Sequence, residues 1–485
     1  MYRSCSAHRA IAVVLLVLVT LGGTSCARSP RKPNLERIFE PARRSSGKMP
    51  IIVIPGALGS QLVDPSTGRI VWPSADRYRE DDLDLPISTD LAANRDGLIA
   101  ARIVDTTKLS ILLPEIRVYR DLLRALEGVA GYRPGSMDLP PTDGATDTYY
   151  IFSYDWRQDN VENARLLARK IDALKSELGR PDLRFNILAH SMGGLIARYY
   201  AMYGDRDLDA LPVDGPDWRG GENIHRLLLV GTPNRGVMDA LRSLVEGYNY
   251  YGGNVKRSKL FNKLDADLVF SMPSVYQLLP FPGSGAIINE RLERRPVNLL
   301  NVDVWRENAW SVFAEQHRKH TLKKLGPSAS NARLAEEEAF LAVVLQRARI
   351  FQESLERKPA RPRPFSLYVF GGDCEPTLQA PLVVPGDKAP RTAFLARNVR
   401  VGRAVLRKRQ LLDLMFAPGD GRVTRGSLIA ESSSASGGAP MQSDLGFDHV
   451  VFGCQEHGEL PNNTEMQNNI LSVVVNDSLA ERPER

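Results

Sequence analysis

Ser191 lies in a sequence that is typical of a catalytic nucleophile. Residues 186–198 read NILAHSMGGLIAR, an apolar strand pattern that passes directly into a helical one. Ala189 and Gly193 flank the serine at two positions on either side, and small side chains there allow a sharp turn between strand and helix. Such a turn holds the hydroxyl above the end of the sheet. The segment therefore predicts Ser191 as a nucleophile, and the alternative is an ordinary turn serine.

A serine hydroxyl needs a general base, and in this architecture the order along the chain is serine, acid, histidine. Only His449 and His457 lie late enough in the sequence. His449 opens an apolar run and would sit at the opposite end of the sheet from the serine. His457 follows that run and precedes the last helical pattern, so we predict His457 as the base. His449 is then a histidine at a strand start, bonded to Asp448.

The acid is predicted at Asp420, within the turn sequence Gly-Asp-Gly-Arg-Val of residues 419–423. Its carboxylate would bond the far ring nitrogen of the histidine, fix its tautomer and stabilise the imidazolium. Asp373, directly after another apolar run, is the rival. A simple loop reversal at the two glycines is the remaining alternative.

The developing oxyanion needs backbone N–H donors. The N–H of Met192, at the start of the helix after the serine, is one predicted donor. The second is expected in the glycine-rich turn PGALGS of residues 55–60. We predict Ala57 there, with Leu58 as the fallback, against the alternative of a plain turn between strand and helix. This chemistry requires no metal and no cofactor.

The elements that must position these residues alternate along the chain. Continuous apolar runs predict buried strands, and amphipathic helical patterns lie between several of them. This alternation predicts an α/β fold, with a mostly parallel sheet covered by helices on both faces. Residues 71–145 and 236–365 interrupt it and are interpreted as caps over the carboxyl edge of the sheet. The predicted strands lie at 50–56, 148–154, 184–188, 226–230, 366–370 and 449–452, and the predicted helices at 160–178, 192–203 and 464–475.

Composition excludes several classes of protein. The chain has 485 residues, 43% hydrophobic and 25% charged, which is the balance of a globular protein. Sixty-three basic against 57 acidic residues give a net charge of only +6, so nucleic acid is not a predicted partner. Four cysteines are too few for a disulfide scaffold.

Residues 1–26 are predicted to be a signal peptide. Arg3 and Arg9 precede an apolar run too short to span a bilayer, and the run ends near Cys26. The carboxyl end of residues 1–26 resembles a bacterial lipoprotein signal in which Cys26 is the lipidated residue, although Gly23 stands where leucine is usual. The alternative is cleavage near Ser25 and release into the periplasm. Both readings place the chain in an exported, oxidising location.

Several motifs resemble the lecithin:cholesterol acyltransferase-like family of α/β-hydrolases, including its bacterial members. They are IPGALGSQL (54–62), YDWR (154–157), AHSMGG (189–194), GTPNRG (231–236), VFGGDCEPT (369–377), GDGRV (419–423) and residues 457–471. The resemblance places the family's serine, acid and histidine on Ser191, Asp420 and His457, and its oxyanion donors on Ala57 and Met192. It implies an enzyme that hydrolyses lipid acyl esters or passes the acyl group to an alcohol.

Three further features give expectations. The Asp–Arg pair of YDWR is expected to brace loops beside the site. Cys374 and Cys454 each follow a predicted strand, and if those strands are neighbours a disulfide is expected. Residues 391–409 hold no acidic residue and are expected either to contact a membrane or anionic substrate, or to form a solvated hairpin. The basic residues there are Arg391, Arg397, Arg400, Arg403, Arg407, Lys408 and Arg409.

We therefore predict a serine-dependent acyl hydrolase or O-acyltransferase acting on lipid acyl esters. Two alternatives remain: an esterase or thioesterase for soluble substrates, and a non-catalytic envelope lipoprotein that binds lipid. The predicted organisation is a signal peptide (1–26), a polar tether (27–48), the first part of the core (49–235), a cap or lid insertion (236–365), the second part of the core (366–478) and a tail (479–485).

Overall fold

The computed structural model describes residues 32–74, 83–107, 116–141, 143–249, 263–431 and 443–480. The chain divides into two units, residues 1–34 and 35–485, and the fold below belongs to the second. The predicted signal peptide lies outside the described residues.

Seven strands form one sheet in which every neighbouring pair is parallel. All six predicted strands are among them. The strands are β1 Ile51–Ile54, β2 Arg133–Gly135, β3 Thr148–Ile151, β4 Phe185–His190, β5 Ile224–Val230, β6 Ser366–Gly372 and β7 His449–Gly453. Their order across the sheet is β7-β6-β5-β4-β1-β3-β2, so β4, the strand that leads to Ser191, lies at the centre.

Helices cover both faces of this sheet. Strand β1 shows why, because its alternate side chains enter different apolar clusters. Ile52 and Ile54 pack into the larger cluster with the helices Asn160–Glu177 and Met192–Tyr203, whereas Ile51 and Val53 pack into a second cluster with the terminal helix Thr464–Ala480. Both clusters exclude water from the strands, as the continuous apolar runs predict.

The three helices predicted from the sequence are present, and two of them begin at a residue whose side chain caps the first turn. The carboxylate of Asp159 accepts hydrogen bonds from the first turn of Asn160–Glu177, and the side-chain oxygen of Asn463 accepts two from the first turn of the terminal helix. The other helices are Leu35–Ile38, Glu40–Arg44, Arg120–Arg124, Met238–Glu246, Ala266–Phe270, Pro273–Tyr276, Val302–Glu307, Glu315–Leu325, Pro327–Glu356, Lys408–Met415 and Arg425–Leu428, with a π-helical turn at Ala125–Val129 and 3-10 turns at Leu91–Ala93, Leu208–Ala210, Gly221–Asn223, Ser311–Phe313 and His457–Asn462.

Residues 71–145 were predicted to be an insertion throughout, and this is wrong at their carboxyl end. Strand β2 lies inside the segment and forms the edge of the main sheet beside β3. It has only three residues, Arg133-Pro134-Gly135, and its proline and glycine hide the strand pattern. Proline has no backbone N–H, and it is tolerated in this edge strand because the outer side of an edge strand has no neighbouring strand that needs a donor.

Small sheets and hairpins lie in the connections between the elements of the main sheet. The segment between β5 and β6 holds six of the helices, including the 30-residue helix Pro327–Glu356, which packs against Met192–Tyr203. The additional strands are Ser60–Val63, Ile70–Trp72, Ile99–Ile103, Thr106–Thr107, Ile116–Arg117, Tyr248–Asn249, Lys263–Leu264, Ala286–Ile288, Arg294–Pro296, Glu375–Leu378, Leu382–Val384, Arg391–Ala393, Val399–Val401, Ala404–Leu406 and Phe416–Gly419.

The expected disulfide is confirmed, because Cys374 and Cys454 are bonded. They follow β6 and β7, which are neighbouring strands in the sheet. Within the ranges given above, no helix is both long and apolar enough to cross a membrane.

Candidate active site

Ser191 occupies a tight turn between β4, which ends at His190, and a helix that begins at Met192. Its φ of 53° and ψ of −125° are unfavourable for a residue with a side chain, and such strain is concentrated at functional sites. The turn closes because Gly193 has no Cβ, which would lie 2.4 Å from the carbonyl oxygen of Pro55. The small residues around the serine therefore have the steric role that the sequence predicts.

His457 and Asp420 meet the serine at the carboxyl edge of the sheet. The Nε2 atom of His457 lies 2.9 Å from Ser191 Oγ, and its Nδ1 atom lies 2.8 Å from Asp420 Oδ2. The Asp420 side chain is 1% exposed and that of His457 12%. Three residues separated by up to 266 positions thus form one continuous hydrogen-bonded chain.

The turn around Asp420 fixes its carboxylate. Oδ1 accepts hydrogen bonds from the backbone N–H groups of Arg422, at 3.0 Å, and Val423, at 2.7 Å. The other oxygen, Oδ2, is directed to His457. The Gly-Asp-Gly turn is therefore more than a loop reversal, because its own backbone orients the acid.

The two rival residues lie elsewhere. His449 begins β7, at the opposite end of that strand from His457, and its ring stacks on Tyr368. Asp448 bonds the backbone N–H of Leu367 and pairs with Arg363. The Asp373 backbone N–H bonds to the carbonyl of Gly453, and the Nδ1 atom of His457 contacts Asp420 instead.

The predicted oxyanion donors lie on two sides of Ser191. Met192 is the first residue of the following helix, where backbone N–H groups lack a partner within the helix. Ala57 is exposed in a turn that is closed by a hydrogen bond from Gly59 N–H to the Gly56 carbonyl. A Cβ on Gly56 would lie 2.8 Å from the Cβ of Ser191, so this turn packs directly against the serine.

Aromatic side chains hold the loop of residues 55–60 that carries Ala57. Tyr154 Oη donates to the Pro55 carbonyl at 2.8 Å, and its own backbone N–H bonds to Ser60 Oγ. The indole N–H of Trp72 donates to the Leu58 carbonyl at 2.8 Å, and that of Trp156 to the Ser60 carbonyl at 3.1 Å.

The YDWR motif supplies three of these contacts, two from Tyr154 and one from Trp156, and its charged residues brace a second loop. Arg157 is fully buried and pairs with Asp155, at 2.8 Å, and with Asp96, at 2.6 Å. It also donates to the carbonyl of Leu83. The expectation that this pair braces loops beside the site agrees with these contacts.

Sequence reasoning missed two side chains that adjoin the site. Tyr119 Oη lies 2.7 Å from His190 Nδ1, and the ring of His190 lies 5.0 Å from that of His457 between centroids. Burial, with the neighbouring His457 adding to it, lowers the pKa of His190 to about 3, so His190 is neutral. Nothing in the local sequence around Tyr119 signals this contact, because the two residues are 71 positions apart.

The arrangement provides a hydroxyl, an imidazole and a buried carboxyl group in line, which is the set of groups that acyl transfer uses. In the parts of the chain that the structure describes, no cluster of three or more His, Cys, Asp or Glu residues has the arrangement of a metal site.

Comparison with solved structures finds chains of similar fold. A chain in the crystal structure of the Tle4–Tli4 complex has a fold similar to that of this protein. The match covers 90% of this chain and 100% of that chain at 13% identity, with a TM-score of 0.53. Two weaker matches are EstA from Clostridium botulinum (11% identity, 89% of this chain and 88% of that chain, TM-score 0.33) and phospholipase PlaB from Legionella pneumophila (14%, 48% and 35%, TM-score 0.22). Among curated proteins, none matches the chain.

The parallel sheet and the first of these likenesses confirm the predicted α/β-hydrolase fold. The family model described as lecithin:cholesterol acyltransferase matches residues 90–318, which include Ser191 and end before Asp420 and His457. This match supports a hydrolase or acyltransferase of lipid acyl esters. The resemblance to this family that the sequence predicts is therefore confirmed over residues 90–318.

Proposed function

We propose that this protein is a serine-dependent acyl hydrolase or O-acyltransferase that acts on lipid acyl esters through an acyl-enzyme on Ser191. The observation that carries the proposal is the chain of two short hydrogen bonds from Ser191 through His457 to Asp420. In this arrangement the histidine is oriented by the acid and directed at the hydroxyl, as a general base must be.

In the first half of the reaction, Ser191 Oγ attacks the ester carbonyl while His457 Nε2 takes its proton. The Ala57 and Met192 N–H groups stabilise the oxyanion of the tetrahedral intermediate. The ester C–O bond then breaks, and the imidazolium returns the proton to the leaving alcohol. The acyl group remains on Ser191.

In the second half, His457 removes a proton from water or from an acceptor alcohol, which attacks the acyl-enzyme. Collapse of the second tetrahedral intermediate breaks the bond to Ser191 Oγ, and the proton returns to the serine. Asp420 stabilises the imidazolium in both halves. No step needs a metal or a cofactor.

Substitution of the nucleophile tests the proposal. Ser191→Ala should lower kcat on an acyl ester by several orders of magnitude while the melting temperature stays near that of the wild type. A fluorophosphonate probe should label the wild type at Ser191 and leave the variant unlabelled. Near-normal esterase activity in Ser191→Ala would contradict the proposal, and a wild type that is neither labelled nor active would favour a non-catalytic lipid-binding protein.

Lipid as the substrate class is supported by the family match over residues 90–318. We expect the rate on a long-chain ester to rise when the substrate forms micelles or vesicles. An activity that is confined to monomeric esters would favour the soluble esterase or thioesterase instead. Lipid extracts profiled before and after incubation should show which acyl ester disappears and whether a free acid or a new ester forms.

We also propose that the basic segment 391–409 contacts anionic headgroups. Its hairpin Val399–Val401 and Ala404–Leu406 is largely exposed, and Val405, which pairs with Arg400 across the hairpin, is 49% exposed. Among the residues with a described structure, its seven cations form no ion pair with a carboxylate. The helix Lys408–Met415 then leads into the strand Phe416–Gly419, which ends beside Asp420, so the segment is joined closely to the site.

Vesicle binding tests this contact. Arg400→Glu combined with Arg403→Glu should weaken binding to vesicles that contain anionic lipid by at least about tenfold, because each cation contributes about 1 kcal/mol near such a surface. The control, Arg169→Glu combined with Arg180→Glu, makes the same charge change elsewhere and should bind like the wild type. Equal loss in both pairs, or none in the first, would reject the contact.

Export and anchoring complete the proposal. We propose that residues 1–26 direct export and that Cys26 carries the lipid. The mass of the mature N-terminal peptide distinguishes the outcomes: a diacylated or triacylated Cys26 supports the anchor, an unmodified N-terminus near residue 26 supports release, and an intact Met1 rejects both.

A further inference from the structure

Tyr119 and His190 connect three parts of the active site that are distant in the sequence. Tyr119 Oη accepts a hydrogen bond from Gly56 N–H at 2.8 Å and lies 2.7 Å from His190 Nδ1. On the other side of its ring, His190 Nε2 lies 3.3 Å from the backbone carbonyl of His457. The loop of residues 55–60, the turn at Ser191 and the base are thus joined through two side chains.

The direction of each hydrogen bond follows from the chemistry of its partners. A carbonyl oxygen can only accept, so His190 Nε2 carries the hydrogen that faces His457. A neutral imidazole has one N–H, so His190 Nδ1 accepts, and the hydroxyl of Tyr119 must donate to it. The oxygen of that hydroxyl accepts from Gly56 N–H, so each group in the chain has a defined role.

The surroundings of Tyr119 show that its hydroxyl is held in place. Its side chain is 2% exposed, and its ring meets that of His190 edge to face at 5.6 Å. A Cβ on Gly59 would lie 3.2 Å from Tyr119 Cε2, so the ring also packs on the loop that carries Ala57. The low pKa of His190 agrees with this arrangement, because a protonated ring could not accept from the tyrosine.

We infer that Tyr119 and His190 are positioning residues that hold the Ala57 N–H, Ser191 and the backbone of His457 in one fixed relationship. The inference rests on the proposed acyl transfer, since it assigns these residues to that reaction. Tyr119 anchors the N–H of Gly56, the residue directly before Ala57. His190 precedes the serine and restrains the backbone of the residue that deprotonates it. Neither side chain exchanges a proton with the substrate.

The expected signature is a loss in transition-state stabilisation. Misplacement of a donor by less than 1 Å lowers turnover strongly and leaves ground-state binding nearly intact, so Tyr119→Phe should lower kcat by about 10- to 100-fold with KM within about twofold. The affinity for an alkyl trifluoromethyl ketone, which forms a tetrahedral adduct with the serine, should fall by the same factor as kcat. Removal of the hydroxyl from a tyrosine with only a structural role would not lower kcat and the inhibitor affinity by the same factor at a nearly constant KM.

Three comparisons separate this role from general stability. Tyr149→Phe removes another buried tyrosine hydroxyl, bonded to Glu127 at 2.5 Å near the amino end of β3, and should keep the wild-type kcat. His190→Asn keeps an acceptor near the position of Nδ1 and should retain more activity than His190→Leu. The double variant Tyr119→Phe/His190→Leu should be no slower than His190→Leu alone, because both changes interrupt one chain of hydrogen bonds.

The experiment measures kcat, KM and inhibitor affinity for these variants, with kcat expressed per fluorophosphonate-labelled site so that only folded enzyme is counted. A kcat of Tyr119→Phe within twofold of the wild type, or losses that multiply fully in the double variant, would overturn the inference while leaving acyl transfer at Ser191 intact. A wild type that is neither labelled nor active removes the proposed function, and the inference falls with it.

Discussion

The backbone N–H of His457 donates a hydrogen bond to the carbonyl oxygen of Asp420 at 2.8 Å, in addition to the contact between their side chains. The two residues are 37 positions apart, yet their main chains are joined directly beside the imidazole–carboxylate bond. The position of the proposed base relative to the acid is therefore set by backbone and does not depend on side-chain packing alone.

Because the two residues are connected through both main chain and side chains, we expect Asp420→Asn to keep the fold and lose catalytic activity. The amide oxygen of asparagine can still accept from Arg422 and Val423, but an amide N–H directed at Nδ1 selects the wrong imidazole tautomer. We expect kcat to fall by about 10³- to 10⁴-fold. Steady-state kinetics with Asp373→Asn as the control, expected within twofold of the wild type, check the prediction. Similar activity in both variants would assign the acid elsewhere.

The contact between Gly56 and Ser191 predicts that no side chain is tolerated at residue 56. An added Cβ would lie 2.8 Å from Ser191 Cβ and 3.2 Å from His190 Nδ1, so the loop would have to move away from the serine. Gly56→Ala should lower kcat at least about 100-fold, because the donor at Ala57 moves with the loop. Gly128→Ala, where an added Cβ has open space, is the matched control for the measurement. Full activity of Gly56→Ala would show that the loop is not held against the serine.

Because the structure contains a disulfide, we expect its removal to lower the stability of the protein measurably. It closes a loop of 80 residues and joins the ends of β6 and β7, which lead to the acid and base loops. Cys374→Ser should lower the free energy of unfolding by about 2–4 kcal/mol. Denaturant unfolding should give the same loss for Cys454→Ser and for the double variant, and reductant should leave the double variant unchanged. Additive losses for the two single variants would be inconsistent with a bond between them.

His317 lies in the segment between β5 and β6, and its contacts there predict that the stability of the protein depends on pH. Burial alone would lower the pKa of His317, but its hydrogen bonds to Asp267 and Glu337 outweigh burial and raise it to about 9. Because the folded pKa lies above the unfolded value, the contribution is fully present below pH 6.5 and is lost as the pH rises through about 9.

Melting temperatures of the wild type and His317→Gln between pH 6 and 10 check this sign. The variant should be less stable by several degrees at pH 6, and the gap should close by about pH 10. A gap that stays constant across the range would show that the charge of His317 contributes nothing.

The sequence predicted those features that depend on local pattern. Buried β-branched runs located six strands of the main sheet, and small residues around Ser191 located the strained turn. Chain order left His449 and His457 as candidate bases, and the position of His457 after the last strand led us to predict it over His449. The disulfide followed from the positions of Cys374 and Cys454 after strands, once those strands proved to be neighbours.

Other features depend on contacts that no local pattern encodes. Strand β2 is short and contains Pro134, so its membership of the sheet is decided by pairing with β3. Tyr119 lies in a short connection with no strand or motif to mark it, and only the folded chain brings its hydroxyl to Gly56 and His190. The architecture of residues 236–365 likewise depends on packing, as in the long helix Pro327–Glu356 against the helix that follows Ser191.

If Ser191 is the nucleophile, an acyl group becomes covalently attached to it during turnover, and trapping of that intermediate is the decisive experiment. The enzyme is mixed with an acyl ester, quenched in acid within the first turnover, digested and analysed by mass spectrometry. The peptide containing Ser191 should gain the mass of the acyl group, and the corresponding peptide of Ser191→Ala should gain none. Turnover of the ester with an acyl adduct on a different residue would contradict Ser191 as the nucleophile.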